Sequence, residues 1–186
     1  PALQLRPLYL VNRDGLGAWR ERQPQALVQW MLAHGYDAAA GSQLSLPGGE
    51  GGLAGALLAV GDPLDPFSYA HAPYAVPPGH WELSGEMDAA AQSALQLGWG
   101  LGAYRYTRYR DPPRAPAQLV LASLEDEVRD LLAACVRVRD LVNTPTEDMG
   151  PEQLEQVARE IAQHHGATFD SIVGDALRWE RKLAGV

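Results

Sequence analysis

Histidines, a cysteine and clustered arginines are among the side chains here that could ligate a metal, move a proton or grip an anion, and their spacing decides how far each can be taken. There are five histidines and one cysteine in 186 residues. His34 closes an apolar stripe of Leu27, Trp30 and Met31. It could act as a ligand or acid–base group, but a histidine at the C-terminal end of a helix is also favoured by the dipole, and that reading is preferred. His71 and His80 are too far apart for a local metal motif and have no flanking ligands, which points to surface or packing roles. His164 and His165 are adjacent, so on a helix they point apart and do not share a metal. Cys135 has no second cysteine to pair with and falls on the apolar side of a helix, as a buried structural thiol does. No catalytic, cofactor-binding or metal-binding residue is assigned from these patterns.

Two further stretches invite a binding reading. Gly48-Gly49-Glu50-Gly51-Gly52 has bare amides of the kind that cradle phosphates, but it matches neither the dinucleotide fingerprint nor the Walker pattern, and a hairpin turn fits better. Arg105, Arg108 and Arg110 alternate with Tyr104, Tyr106 and Tyr109, a pattern that can stack bases and hold phosphates. The competing reading has the arginines complementing the end of the preceding helix while the tyrosines pack.

The elements that would position these residues alternate between strand and helix. Residues 3–11 read as a strand, with Pro7 hinting at an edge or a bulge. A helix follows from Pro24 to Gly35, then two strands, 42–47 and 53–62, around the glycine turn. Gly55 to Val60 is apolar on both faces, as in a central strand covered by helices. Residues 63–81 are rich in proline and aromatics and read as an ordered connection. A helix is expected over 86–104, capped by Ser84. Gly98, Gly100 and Gly102 each cost it about 1 kcal/mol relative to alanine, which close approach to a neighbouring element would explain; a nucleotide site is the less favoured alternative. A strand at 117–122 leads to a long amphipathic helix with the stripe Leu124, Val128, Leu131, Cys135, Val138 and Val142. Asn143-Thr144-Pro145 ends it, and Gly150-Pro151-Glu152 opens another helix with Leu154, Val157, Ala158, Ile161 and His165 as its stripe. A strand at 168–173 and a short helix at 175–183 complete the reading.

Arg139-Asp-Leu-Val-Asn-Thr-Pro145 followed by Gly150-Pro151-Glu152 resembles the segment that joins the two domains of the leucyl aminopeptidase (cytosol aminopeptidase) family of metallopeptidases. Gly150 stands where that pattern usually has threonine. A second match, Leu101-Gly-Ala-Tyr-Arg-Tyr106, is similar to the Leu-Gly-Ala-Tyr-Arg-Phe near the end of the family's N-terminal domain. The resemblance implies a three-layer, macro-like α/β domain with a mixed sheet over residues 1–123, a linker helix over 124–143, and the beginning of an incomplete catalytic α/β unit over 144–186. It implies a parent enzyme that removes N-terminal residues from peptides with two divalent metal ions, zinc or manganese, and that assembles as a hexamer. The metal ligands of that family fall beyond the last residue here, so this chain alone is expected to be inactive.

The bulk properties agree with such a parent. The net charge is −8, with 10 acids and 8 bases over residues 1–123 and 13 acids and 7 bases over 124–186. A surplus of acid argues against a general nucleic-acid binder, because phosphates are held by basic surfaces. No apolar run approaches the roughly 20 residues of a membrane-spanning helix, so the expectation is a soluble, cytoplasmic protein without a membrane partner. A stand-alone oligomerisation or ligand-binding module, for nucleotides or nucleic acid, is the alternative to a piece of a peptidase.

Overall fold

A computed structural model describes residues 4–179. The first strand, β1 (Leu5–Val11), lies at the middle of a five-stranded sheet in the order β2-β3-β1-β4-β5. The others are β2 (Gln43–Pro47), β3 (Leu53–Ala59), β4 (His80–Leu83) and β5 (Gln118–Val120). β2 runs antiparallel to β3 and all other pairs are parallel, so the sheet is mixed. Leu8 pairs with Ala56 of β3 and Val11 with Ala59, while Leu5 pairs with His80 of β4 and Leu8 with Leu83.

Helices cover both faces, as the two-sided apolar character of β3 requires. One face carries α1 (Leu16–Glu21) and α2 (Gln25–Ala33); Leu16, Trp19 and Met31 pack there on Leu44, Leu57 and Ala59. The other carries α3 (Ala72–Ala75) and α4 (Ala89–Ala103); Ala72, Leu95 and Trp99 pack on Leu8, Leu58 and Trp81. Leu57 and Ala59 face one layer and Ala56 and Leu58 the other, the period of two that a pleated strand imposes. Trp81 and Leu58 are completely buried, each stabilising the fold by roughly 2–3 kcal/mol relative to exposure. Three of the large rings have their polar tips satisfied by backbone carbonyls. Trp81 Nε1 donates to the Pro77 carbonyl at 2.9 Å, Trp99 Nε1 to the Ala117 carbonyl at 3.1 Å, and the Tyr69 hydroxyl to the Pro63 carbonyl at 2.9 Å.

Several details differ from the sequence reading. Pro7 lies in the central strand, not at an edge. It precedes Leu8, the first residue paired with β3, and it is accommodated by Gly55, where a Cβ would come within 2.8 Å of the Pro7 carbonyl oxygen. Residues 63–81 hold more than a connection: a 3₁₀ turn (Pro66–Ser68), helix α3 and the start of β4. Asp88 rather than Ser84 caps α4, its carboxylate accepting from the Ala91 amide at 2.9 Å. The glycine run does form the β2–β3 hairpin, with a bulge at Leu46/Pro47, and with Glu50 and Gly51 at positive φ.

The contacts divide the chain into a unit that ends at Arg139 and one that begins at Asp140. The helix α5 (Asp126–Asn143) contributes to both. Within the first unit Val128 is its buried residue, and Leu132 meets α4 at Gly100. The expected stripe is thus only partly covered: Leu131 is 46% exposed, Val138 58% and Val142 79%, and Cys135 is half-buried rather than buried. In the second unit α6 (Pro151–His164) starts at Gly150 as expected. The Gln153 side chain accepts from the Gly150 amide at 3.0 Å, and glycine has no side chain to return the bond. Residues 168–173 form no strand, and among the described residues no strand pairs with them. A helix α7 (Ala176–Trp179) begins where one was expected; residues 180–183 of that expected helix lie outside the described residues.

Candidate functional site

The alternation of layers creates one cleft where a ligand-binding site is expected in an α/β sheet. The chain leaves β1 toward α1 on one face and leaves β3 toward α3 on the other. The carboxyl ends of these two adjacent strands therefore open between diverging loops, the position that open sheets use for ligands. The cleft there has a volume of about 300 Å³. Leu10, Val60 and Met87 line it, with the rings of Trp19 and Tyr69, the backbone of Gly15 and Gly61, and Arg22. Asn12 shapes the turn out of β1 by accepting from the Gly15 amide at 2.7 Å. Burial pushes the Tyr69 phenol up to about 12, with the carboxylates of Asp88 and Asp62 adding to the effect.

None of these residues was singled out by sequence. Helix α1 is only six residues long and its apolar pair, Leu16 and Trp19, is too short a pattern to read. The available signal was positional: polar turn residues, Asn12 to Gly15 and Gly61 to Pro63, directly after two apolar strands.

The histidines are scattered. His34 is the C-cap of α2, its Nδ1 2.8 Å from the Trp30 carbonyl and its ring 4.0 Å from the Trp30 ring. His71 precedes α3, and burial pushes its imidazole below the usual range. His80 opens β4. His164 and His165 do not diverge as expected: His165 is the C-cap of α6, outside the regular helix, and the two rings meet edge to face at 4.9 Å. Among the described residues no three His, Cys, Asp or Glu side chains gather to hold a metal ion. Among the described residues the side chains offer no set that fits the paired metals of the resembled family.

Within the arginine and tyrosine stretch, Arg105 is tied into the fold. Arg105 donates to the carbonyls of Gly102 and Tyr104 at the end of α4 and covers the Tyr74 ring at 3.7 Å. Arg114 donates to the carbonyls of Tyr74 and Val76, and Arg139 to that of Leu101. These guanidiniums occupy carbonyls that a helix end leaves without partners. The glycines of α4 have the expected cause: a Cβ at Gly98 would lie 1.9 Å from the Pro66 oxygen, and one at Gly102 1.9 Å from the Ala70 oxygen.

With this geometry established, comparison with known proteins places the chain. The family described as M17 aminopeptidase, N-terminal domain, matches residues 6–122. A probable cytosol aminopeptidase of Mycobacterium leprae is 30% identical over 109 residues, 52% of this chain and 21% of that protein. The crystal structure of cytosol aminopeptidase from Coxiella burnetii aligns with a TM-score of 0.85 at 30% identity, covering 96% of this chain and 40% of that one. Two further structures share the fold: the bottromycin maturation enzyme BotP, solved with Mn, and a mutant of tomato leucine aminopeptidase. Their TM-scores are 0.65 at 21% identity and 0.57 at 15%, covering 95% and 89% of this chain and 40% and 43% of those chains. The chain spans about two fifths of the solved structures it matches and about a fifth of the curated relative. This chain belongs to the M17 aminopeptidase family, and residues 6–122 are its N-terminal domain.

Proposed function

We propose that the chain is the N-terminal, non-catalytic portion of a cytosolic leucyl-type metalloaminopeptidase that removes N-terminal residues from peptides. The observation that carries this reading is the match to the Coxiella enzyme, which takes in nearly all of this chain and only 40% of that one. In this reading residues 1–123 form the N-terminal domain, 124–143 a linker helix and 144–186 the start of the catalytic domain. The two divalent metals and the residues that use them belong to the part of the relatives' length not matched here. The complete enzyme is cytoplasmic and assembles as a hexamer.

The uncovered apolar residues support the same reading. Leu131 and Val138 in the first unit, and Val142 and Leu154 in the second, are exposed at 46–79% on helices that otherwise carry charge. Such faces are covered in a longer chain or an assembly.

The test is an assay of the pure chain for metal-dependent release of leucine from a leucyl anilide. No release is expected, and release would overturn the reading. The intact mass of the natural product from its source cell separates the alternative: a mass near 20.1 kDa would favour a stand-alone binding or assembly module over a peptidase.

A further inference from the structure

The cleft between the ends of β1 and β3 has a composition that specifies a ligand. Its walls are apolar, from Leu10, Val60 and Met87 and the edges of Trp19 and Tyr69. Arg22 is the charged side chain in its lining, and that guanidinium makes no hydrogen bond or ion pair to any described residue. An arginine with all its donors open beside an apolar hollow is suited to a carboxylate, which it can grip through two parallel bonds.

Two carboxylates neighbour lining residues in the chain. Asp62 stands between the lining residues Gly61 and Pro63, and Asp88 directly follows the lining residue Met87. Each is held by one carboxylate oxygen, Asp62 accepting from the Leu64 amide and Asp88 from the Ala91 amide, both at 2.9 Å. Both act on the buried Tyr69 hydroxyl, so both are within electrostatic reach of the cleft. A purely anionic ligand would be repelled by this pair, and a purely cationic one by Arg22. A ligand carrying both charges beside an apolar group satisfies every wall, and the cleft volume is at the small end of small-molecule sites.

We propose that this cleft binds a free α-amino acid with an apolar side chain, its carboxylate on Arg22, its ammonium toward Asp62 and Asp88, and its side chain among Leu10, Val60 and Met87. The site lies within residues 6–122, so binding is measurable on this chain whether or not the peptidase reading holds.

Calorimetric titration of the chain with leucine tests it. Saturable one-to-one binding is expected, with affinity lowered about tenfold or more for leucinamide, which lacks the carboxylate, and for 4-methylpentanoate, which lacks the amine. Arg22→Ala changes an exposed side chain and leaves the fold intact, and it should weaken leucine by a similar factor; Asp62→Asn with Asp88→Asn should do the same. Absence of saturable binding by leucine, valine or methionine overturns the proposal. So does leucine binding that Arg22→Ala leaves unchanged, or a preference for adenosine monophosphate over leucine at this cleft.

Discussion

Gly102 lies against the Ala70 carbonyl with no space between them: a Cβ at Gly102 would fall 1.9 Å from that oxygen. Gly98, one turn earlier, stands in the same relation to the Pro66 carbonyl. Helix α4 is thus pressed onto the backbone of the 66–70 segment, and glycine is the residue that permits the approach.

Replacing Gly102 or Gly98 with alanine should therefore destabilise the chain by about 2–3 kcal/mol, even though alanine is the better helix former by about 1 kcal/mol. Gly100→Ala should be far milder, because its Cβ would meet the end of the flexible Leu132 side chain. Urea denaturation of the three variants checks the order; equal gains in stability at 98, 100 and 102 would show that propensity, not contact, controls this helix.

The two most perturbed tyrosines set an alkaline limit. Burial pushes Tyr36 and Tyr69 up to about 12, from an ordinary value near 10. Between those values the unfolded chain releases protons that the folded chain retains, so stability falls as pH rises through that window. Tyrosinate absorbance followed across an alkaline titration should show two of the seven tyrosines ionising late or together with unfolding.

His71 acts at the other end. Its imidazole is held below its usual 6.5 by burial, so the folded state favours the neutral ring. Stability present above that value is lost as pH falls and the unfolded chain takes up the proton first. Thermal denaturation of the native chain and of His71→Gln between neutral and mildly acidic pH should show a shallower decline in the variant.

Arginines of similar appearance should differ in worth. Arg139 donates to the Leu101 carbonyl at 2.7 Å and covers the Tyr104 ring, so Arg139→Met should cost about 1–2 kcal/mol. Arg129 pairs with Asp126 on the exposed side of α5, and Arg129→Met should change stability by about 0.5 kcal/mol or less. Denaturation midpoints of the two variants decide between these values.

The apolar residues of α5 provide a test that is independent of catalysis. Leu131→Gln and Val138→Gln replace exposed side chains and should alter the stability of this chain by about 0.5 kcal/mol or less, read from denaturation midpoints. A loss of several kcal/mol would mean that these residues are already covered in solution.

Sequence showed the longer elements because their patterns repeat over several turns or pleats. Leu53 to Ala59 is apolar on both faces and became a strand flanked by helical layers; Gly150-Pro151 opened α6 as its capping chemistry demands. Short pieces stayed hidden. His80–Leu83 is four residues after a proline pair, too brief to show alternation, and its identity as a strand comes from pairing with Leu5–Leu8 and Gln118–Val120. The sequence shows one apolar stripe on α5, yet the register that packs is Val128 and Leu132, one step around the helix from Leu131. Periodicity shows that a helix has an apolar side; it does not show how much of that side has a neighbour within the same chain. The cleft was hidden for a related reason, since its walls come from the ends of elements distant in sequence and follow only from the strand order.

That strand order also leaves the two outer strands poorly suited to recruiting other chains. β5 is three residues long, and β2 ends in a bulge and in Pro47, which has no amide hydrogen to give. An extended segment from a neighbouring molecule would find few consecutive rungs on either side, so association of this domain through sheet-to-sheet extension is blocked at both borders. Any association of this domain is thereby left to side chains on its helices and loops.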